Sequence, residues 1–377
     1  MARSVAPTIH QVAERCGVSI STVSRALSRP ERVNAATRAT VLAAAAELGY
    51  QPSPRARALL TGRSLTIVLM VPDITNPFFF DLIRGAQHRA ATAGYTQVLV
   101  DTEESPDLES AHLATSVKSA DGVVLAASRL PDDALAAAAA RLPLVLINRT
   151  VPRVASVSID TPRGFAQAVE HLLQLGHRRL VYVSGPRSSA SDARRWRALQ
   201  QAARRTPVST SGVSTSGVST SGVSITRVGP FPPTRDAGAA AADAAVATGA
   251  TGILAFNDLL ALGILRRLAD RGIRVPGSIS LVGCDDVFGA DFCAPPLTTI
   301  RAPVEAAGRR ATELLLEQLR PTRAPAPHED LLTAALVVRG STGPAPTAAE
   351  DNAAEDNAAE HSAAEHSAAV DRPRRTR

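Results

Sequence analysis

Several kinds of residue are scarce in this 377-residue chain, and each scarcity excludes a class of protein. The three cysteines, Cys16, Cys284 and Cys293, are too few and too scattered for a disulfide framework or a cysteine-based metal site. Lys118 is the only lysine, so the chain has no phosphate-binding loop that ends in lysine. No apolar run reaches the length of about 18 residues that a membrane span needs. The first residues also lack the apolar stretch of a secretory signal, so we expect a cytoplasmic protein with no membrane partner.

Signatures of catalysis are missing as well. The sequence has no Gly-x-Ser-x-Gly elbow, no His-Glu-x-x-His motif and no cluster of cysteine and histidine. His361 and His366 lie in a low-complexity repeat over 348–367, which is typical of a solvated tail rather than of metal ligands. We therefore expect a protein that is not an enzyme and that needs no cofactor and no metal.

Positive charge is concentrated at the N-terminus. The chain has 41 Lys+Arg against 35 Asp+Glu, a net charge of +6. Residues 1–63 hold nine arginines and three glutamates, which accounts for the whole excess, while the rest of the chain is balanced. Neutralisation of phosphates is a large source of affinity between proteins and DNA. The alternative is a solvated basic face, but the charge coincides with the motif described next.

Residues 8–27 have the pattern of two helices joined by a tight turn. Thr8 begins a capping box for the first helix, and Gly17 suits the reversal of the chain because glycine tolerates a positive φ. Ser19 can cap the second helix, whose outer face carries short polar side chains. An ordinary helical hairpin is the alternative. The pattern is typical of a helix-turn-helix, in which the second helix enters the major groove of DNA.

The head and its connection to the body can be delimited from the sequence. A third helix, capped by Asn34 and ended by Gly49, would complete a DNA-binding head over residues 1–50. Residues 51–63 predict a hinge helix of about two turns and a linker. Isolated helices of that length are marginal in water, so we expect this one to form only when a partner supports it.

From residue 64 onwards, short apolar runs alternate with helical segments, which is typical of parallel sheets covered on both faces. Strands are predicted at 67–71, 98–100, 123–125, 144–147, 180–183, 253–256 and 280–282. Helices are predicted near 78–93, 107–118, 131–141, 162–175, 191–204, 236–248, 258–271 and 303–319. Three Ser-Thr-Ser-Gly-Val repeats at 209–223 predict a surface loop. The fold class is therefore α/β, with a body over 64–340 and a disordered tail over 341–377.

The order and spacing of motifs along the chain resemble the lactose-repressor (LacI) family of bacterial transcription regulators. Beyond the head, the motifs that carry the resemblance lie at 71–79, 170–172, 175–179, 256–263, 280–286 and 295–301. The resemblance implies two similar lobes with parallel sheets, joined by three crossover strands as in periplasmic sugar-binding proteins. It places about 64–160 and 289–320 in lobe one and about 161–288 and 321–340 in lobe two. It also implies a homodimer that binds double-stranded operator DNA and a small effector, a sugar, between the lobes.

Carried over position by position, the resemblance assigns DNA contacts to the head and the hinge. Base reading falls to Ile20, Ser21 and Arg25, and an arginine can bond both O6 and N7 of guanine. Contacts with phosphates, which fix register, fall to Thr8, Ser19, Ser24, Asn34, Thr37 and Tyr50. In the minor groove, Arg57 and Leu59 would act from the hinge, with Leu59 as a wedge at the operator centre. Packing within the head is the alternative for Ile20, and we expect Leu59 to pack between hinge helices as well.

The resemblance also assigns the effector contacts. They fall to Phe78, Phe79, Asp160, Arg195, Asn257 and Asp285. An aromatic ring can stack on a sugar face, while guanidinium, amide and carboxylate groups can bridge adjacent hydroxyls. Arg194 or Arg197 could take the place of Arg195, and one phenylalanine of the three at 78–80 belongs to the core. The sequence departs from the family at Ala198-Leu199, where a glycine and an aromatic residue are usual, and its tail has no leucine heptads for a coiled coil.

The sequence thus predicts a DNA-binding transcriptional regulator, a repressor of a carbohydrate-use operon whose operator affinity is controlled by a ligand between two lobes. The alternative is a cytoplasmic sugar- or nucleoside-binding protein with the same body and no role in DNA regulation. The basic head favours the regulator.

Overall fold

The computed structural model describes residues 7–28, 30–50, 63–205, 222–320 and 329–347. Arg57 and Leu59, the rest of the predicted hinge helix, most of the Ser-Thr-Ser-Gly-Val repeats and the tail after 347 lie outside these residues. The described residues form a small helical head and a larger body with parallel sheets, as the sequence predicts. None of the helices that they form is both long and apolar enough to cross a membrane.

Three helices form the head around an apolar core of their own. They are α1 (Ile9–Cys16), α2 (Ile20–Ser28) and α3 (Ala35–Glu47), with a short 3-10 turn at Pro30–Arg32. Val12, Val23 and Val41 are fully buried where the helices meet. The capping box is confirmed, because the Thr8 side chain accepts the N–H of Gln11 while the Gln11 side chain accepts the N–H of Thr8.

The turn between α1 and α2 depends on Gly17. Its φ is +65°, in the left-handed region that a side chain would strain, and its N–H bonds the carbonyl of Glu14 at 3.2 Å. Asn34 caps α3 as predicted, since its side chain accepts the N–H of Thr37 at 2.8 Å. These local signals fix where α1 ends and where α3 begins.

The body is built on two parallel sheets and one short antiparallel pair. Its strands are β1 (Thr66–Val71), β2 (Thr96–Asp101), β3 (Gly122–Ala126), β4 (Leu144–Ile147), β5 (Ala155–Asp160), β6 (Arg179–Val183), β7 (Ser224–Val228), β8 (Gly252–Ala255), β9 (Ser280–Val282), β10 (Thr299–Arg301), β11 (Glu329–Thr333) and β12 (Ala335–Val337). The first sheet has the order β11-β5-β4-β3-β1-β2, and the second has the order β7-β6-β8-β9. Strands β10 and β12 pair antiparallel.

Helices cover both sheets. They are α4 (Phe78–Thr92), α5 (Pro106–Ser119), α6 (Asp132–Ala139), α7 (Thr161–Gln174), α8 (Ala190–Arg205), α9 (Gly238–Val246), α10 (Asp258–Asp270) and α11 (Val304–Gln318). Helices α4 and α11 pack with their backbones in contact. A Cβ placed on Gly308 would lie 2.1 Å from the carbonyl oxygen of Leu82, and one on Gly85 would lie 2.1 Å from that of Glu305.

One apolar core continues from the first sheet to the second. Ile67 of β1, Phe165 of α7 and Tyr182 of β6 belong to this same buried cluster. Separate clusters lie on the opposite face of each sheet. The two lobes are therefore joined by shared apolar contacts as well as by the chain that crosses between them.

Three segments lie elsewhere than the sequence predicts. Residues 289–298 were expected in lobe one, but Ala290 and Leu297 pack in the core of the second sheet. Strand β11 was expected in lobe two, yet it pairs with β5, which would otherwise be an unpaired edge. Residues 341–347 were expected in a disordered tail, yet Ser341 is buried and its carbonyl accepts the N–H of Leu281 at 2.8 Å.

Candidate functional site

The residues on the outer face of α2 lie outside the apolar core of the head. Ile20 keeps 41% of its surface exposed, and Ser21 and Arg25 are exposed beside it. Packing falls instead to Val23 and Ala26, which are buried in the head. The three side chains predicted to read bases therefore share one accessible surface.

The six residues predicted to contact phosphates lie mostly where helices begin. They are Thr8, Ser19, Ser24, Asn34, Thr37 and Tyr50. The side-chain oxygens of Thr8, Ser19 and Asn34 each accept an N–H from the first turn of α1, α2 or α3. Tyr50 is half-buried against the head core, and this burial raises the pKa of its phenol. Helix N-termini favour phosphate because their N–H groups and dipole point at it.

The predicted ligand contacts of the body follow the carboxyl ends of parallel strands. Asp160 ends β5, Asn257 lies two residues after β8, and Asp285 lies three residues after β9. Open parallel sheets bind ligands at this edge. We therefore expect a ligand at this edge of the sheets.

Arg195 lies at the centre of this region and is buried. Its Nε donates to Thr161 Oγ1 at 3.1 Å, and its Nη1 donates to the carbonyl oxygen of Phe256 at 2.5 Å. Its guanidinium carbon is 4.8 Å from the ring centre of Phe256 and 5.5 Å from that of Phe165. Two aromatic rings and two oxygens thus hold one cation in a fixed place, and such fixed donors are what a hydroxyl-bearing ligand requires.

Asp285 faces Arg195 across 3.9 Å, the distance between Oδ1 and Nη2. Its φ is +125°, a strained conformation for a residue with a side chain, and its N–H bonds the carbonyl of Ile300 at 2.9 Å. Burial raises the pKa of the Asp285 carboxyl to about 8, although Arg195 opposes the shift. In its protonated form this carboxyl can donate a hydrogen bond.

The remaining predicted contacts are partly committed to the fold. The Asn257 side chain caps α10, because its oxygen accepts the N–H of Leu260 at 3.0 Å and its amide donates to the carbonyl of Pro233 at 3.0 Å. Asp160 caps α7 through the N–H of Arg163. Each still stands at the edge where the strands end.

The phenylalanines at the start of α4 separate into three environments. Phe79 is 5% exposed and packs in the main core. Its place at the mouth of the cleft stays a prediction. Phe78 is half-buried and meets the Phe79 ring edge-on, with 5.0 Å between ring centres. Phe80 is half exposed. Helical spacing explains the split, since consecutive residues on a helix point about 100° apart.

Two buried carboxylates of the second lobe were missed by the sequence reasoning. Asp258 accepts Thr299 Oγ1 at 2.6 Å and the N–H of Val287 at 3.0 Å, and burial raises its pKa to about 6. Asp192 accepts the Tyr182 hydroxyl at 2.8 Å and the N–H of Gly185 at 2.9 Å. The position of Asp192, three residues before Arg195 on α8, was the available signal. Among the described residues, no three side chains of His, Cys, Asp or Glu meet as a metal site would require.

Comparisons with known proteins match both the head and the body to described families. Residues 8–53 match the family described as bacterial regulatory proteins, lacI family, and residues 169–342 match the periplasmic binding protein-like domain. The transcriptional repressor CytR of Escherichia coli K12 is 34% identical over 350 residues, which cover 91% of this chain and 98% of CytR. A lac repressor dimer bound to operator and an anti-inducer has a TM-score of 0.74 at 26% identity and covers 90% of this chain and 100% of that one. The regulator CelR in complex with cellobiose has a TM-score of 0.63 at 28% identity, over 89% and 99% of the two chains.

The head and the body together define a DNA-binding regulatory protein whose body has the periplasmic-binding-protein fold. The chain belongs to the LacI family of bacterial regulatory proteins, and it is a transcriptional regulator.

Proposed function

We propose that this regulator is a repressor of a carbohydrate-use operon and that a sugar bound between its lobes controls its affinity for operator DNA. The exposed face of α2 is the observation that carries the proposal, because Ile20, Ser21 and Arg25 are presented together without a role in the core. A helix-turn-helix dimer places two such faces in successive major grooves, so the operator is a near-palindrome. The solved lac repressor relative is a dimer on its operator.

The body supplies the ligand contacts in this proposal. Phe78 offers an aromatic surface, while Arg195, Asp285, Asn257 and Asp160 offer donors and acceptors at the strand ends. CelR is a relative solved with cellobiose, and a further relative from Enterococcus faecium is solved with ribose. Ligand binding changes the lobe angle, separates the two hinge segments and weakens their grip on the minor groove through Arg57 and Leu59. Coupling between two such sites is typically about 1–3 kcal/mol.

Selection of binding sites from a pool of random duplexes tests the DNA-binding half. We expect a near-palindromic site, and we expect Arg25→Met to lose the preference for one base pair in each half-site, at a cost of about 1–3 kcal/mol. Arg38→Met, a loss of an exposed arginine on α3, is the matched control and should leave the preferred sequence unchanged. If the protein binds no duplex even at low salt, the proposal is wrong, and a ligand-binding protein without DNA regulation is favoured.

Thermal unfolding with D-ribose, cellobiose and adenosine tests the ligand-binding half. A ligand that binds only the folded state stabilises it, by about 2.7 kcal/mol at a hundredfold excess over Kd. That stabilisation is seen as a rise in the unfolding temperature, which we expect for a sugar. A response to adenosine alone would replace the sugar by a nucleoside.

A further inference from the structure

Two neighbouring arginines of α8 point to different lobes. Arg195 bonds within lobe two and its junction with α7, as described above. Arg194 reaches instead to the first sheet. Its Nη1 donates to Ser158 Oγ at 3.2 Å, its Nη2 donates to the carbonyl oxygen of Asn148 at 3.4 Å, and its Nη1 is 3.7 Å from Glu329 Oε1.

Every one of these partners belongs to lobe one. Ser158 lies on β5, Asn148 follows β4, and Glu329 begins β11, all in the six-stranded sheet. Glu329 is itself held, because its Oε1 accepts the Thr150 hydroxyl at 3.1 Å. Helix α8, by contrast, packs on α7 and β7 of the second lobe. The three contacts of Arg194 therefore cross between the lobes.

The geometry makes this connection weak enough to open. Both hydrogen bonds are long, and the Arg194 and Glu329 side chains keep 25% and 37% of their surface exposed. Two buried polar atoms of the region, Arg194 Nε and Ser156 Oγ, have no hydrogen-bond partner among the described residues. A partly exposed ion pair contributes little free energy, but a change of that size is enough to shift a balance between two conformations.

We propose that Arg194 is an inter-lobe clasp that favours the lobe arrangement seen in this structure and thereby sets how readily the cleft opens. This inference rests on the proposed function in one respect, since opening matters only if the cleft binds an effector. Arg194 is a positioning residue, because it acts on the angle between the lobes.

One tryptophan and one lysine of the chain can report the distance between the two lobes. Trp196 is the only tryptophan and lies on α8 in lobe two, and Lys118 is the only lysine and is exposed on α5 in lobe one. An amine-reactive dansyl group on Lys118 accepts energy from Trp196, so the transfer efficiency reports the separation of the lobes. Labelling of Lys118→Arg measures the contribution of the N-terminal amine, which is subtracted.

The clasp is then tested on the ligand-free protein. We expect Arg194→Met and Glu329→Gln each to change the transfer efficiency in the same direction, and about a fivefold shift between the two lobe arrangements is the low end for such coupling. Arg194→Lys, which keeps the charge, should lie between Arg194→Met and the unaltered chain. Arg197→Met is the matched control, because Arg197 is exposed on the same helix and its Nε donates to the carbonyl of Ala193 within that helix.

The clasp is overturned if Arg194→Met and Arg197→Met give the same transfer efficiency while their circular dichroism spectra show that both variants are folded. If Arg194→Met does not fold, the Glu329→Gln comparison decides in the same way. Because no ligand is present, this result is independent of whether a sugar binds, so failure of the clasp and failure of the proposed function can be distinguished.

Discussion

At the scale of single residues, the buried carboxyl of Asp285 links the cleft to pH. Its pKa is raised to about 8 in the folded chain, while an unfolded aspartate has a pKa near 3.8. Between these values the folded state keeps a proton that the unfolded state has lost. Stability contributed by this group is therefore present below about pH 4 and is lost as pH rises towards 8.

Asp285→Asn removes that dependence, because the amide stays neutral at every pH. We expect the variant to gain stability relative to the unaltered chain as pH rises from 5 to 8, with a slope that approaches about 1.4 kcal/mol per pH unit. Urea unfolding at pH 5, 6.5 and 8 measures the difference. Asp133→Asn, at an exposed position at the start of α6, is the control, and parallel curves for Asp285→Asn and the unaltered chain would contradict the expectation.

The sequence could identify the chemistry of the cleft residues but not their orientation. It left Arg194, Arg195 and Arg197 as alternatives for one role. Helical geometry separates them: Arg195 is buried among Phe165 and Phe256, Arg194 crosses to lobe one, and Arg197 is exposed. That choice depends on the rotation of α8 about its axis, which is set by packing against distant segments.

At the scale of elements, the helices could be predicted well because their caps and apolar periodicity are local. The predicted bounds of the eight body helices agree with the structure to within about two residues. Five strands were missed, namely β5, β7, β10, β11 and β12. Strand β5 buries Ser156 and Ser158 as well as Val157 and Ile159, so it lacks the continuous apolar run that marked its neighbours.

The contact between α4 and α11 provides a prediction at this scale. Gly308→Ala places a methyl group 2.1 Å from the Leu82 carbonyl oxygen, so the helices must separate. We expect a loss of about 1–3 kcal/mol or more in the free energy of unfolding, measured in urea. Gly277→Ala is the control, since its methyl group would only touch the Arg274 side chain at 3.4 Å. Equal stability of the two variants would show that α4 and α11 can move apart at little cost.

At the scale of the whole molecule, the shared core limits how the lobes move. Because Ile67, Phe165 and Tyr182 lie in one cluster, we expect any change in lobe angle to keep these contacts. This continuity could not be predicted from local sequence patterns, since the cluster joins residues more than a hundred positions apart.

The hinge segment provides the prediction for the intact regulator. If the hinge proposal holds, replacement of residues 52–60 by a Gly/Ser segment of equal length lowers the affinity for the selected duplex, because such a segment forms a helix poorly. Gel-shift titration measures the change. Replacement of residues 209–221 by a Gly/Ser segment of equal length is the control, and it should leave the affinity for the duplex unchanged. Unchanged affinity after the first replacement would mean that the head alone grips DNA.

The accessible face of α2 also bears on how such proteins diversify. Ile20, Ser21 and Arg25 lie outside the apolar core of the head as the described residues form it, and substitutions at exposed positions usually alter stability by less than about 0.5 kcal/mol. After a gene duplication, a daughter copy could thus acquire new promoters through three codons while its folding is left intact.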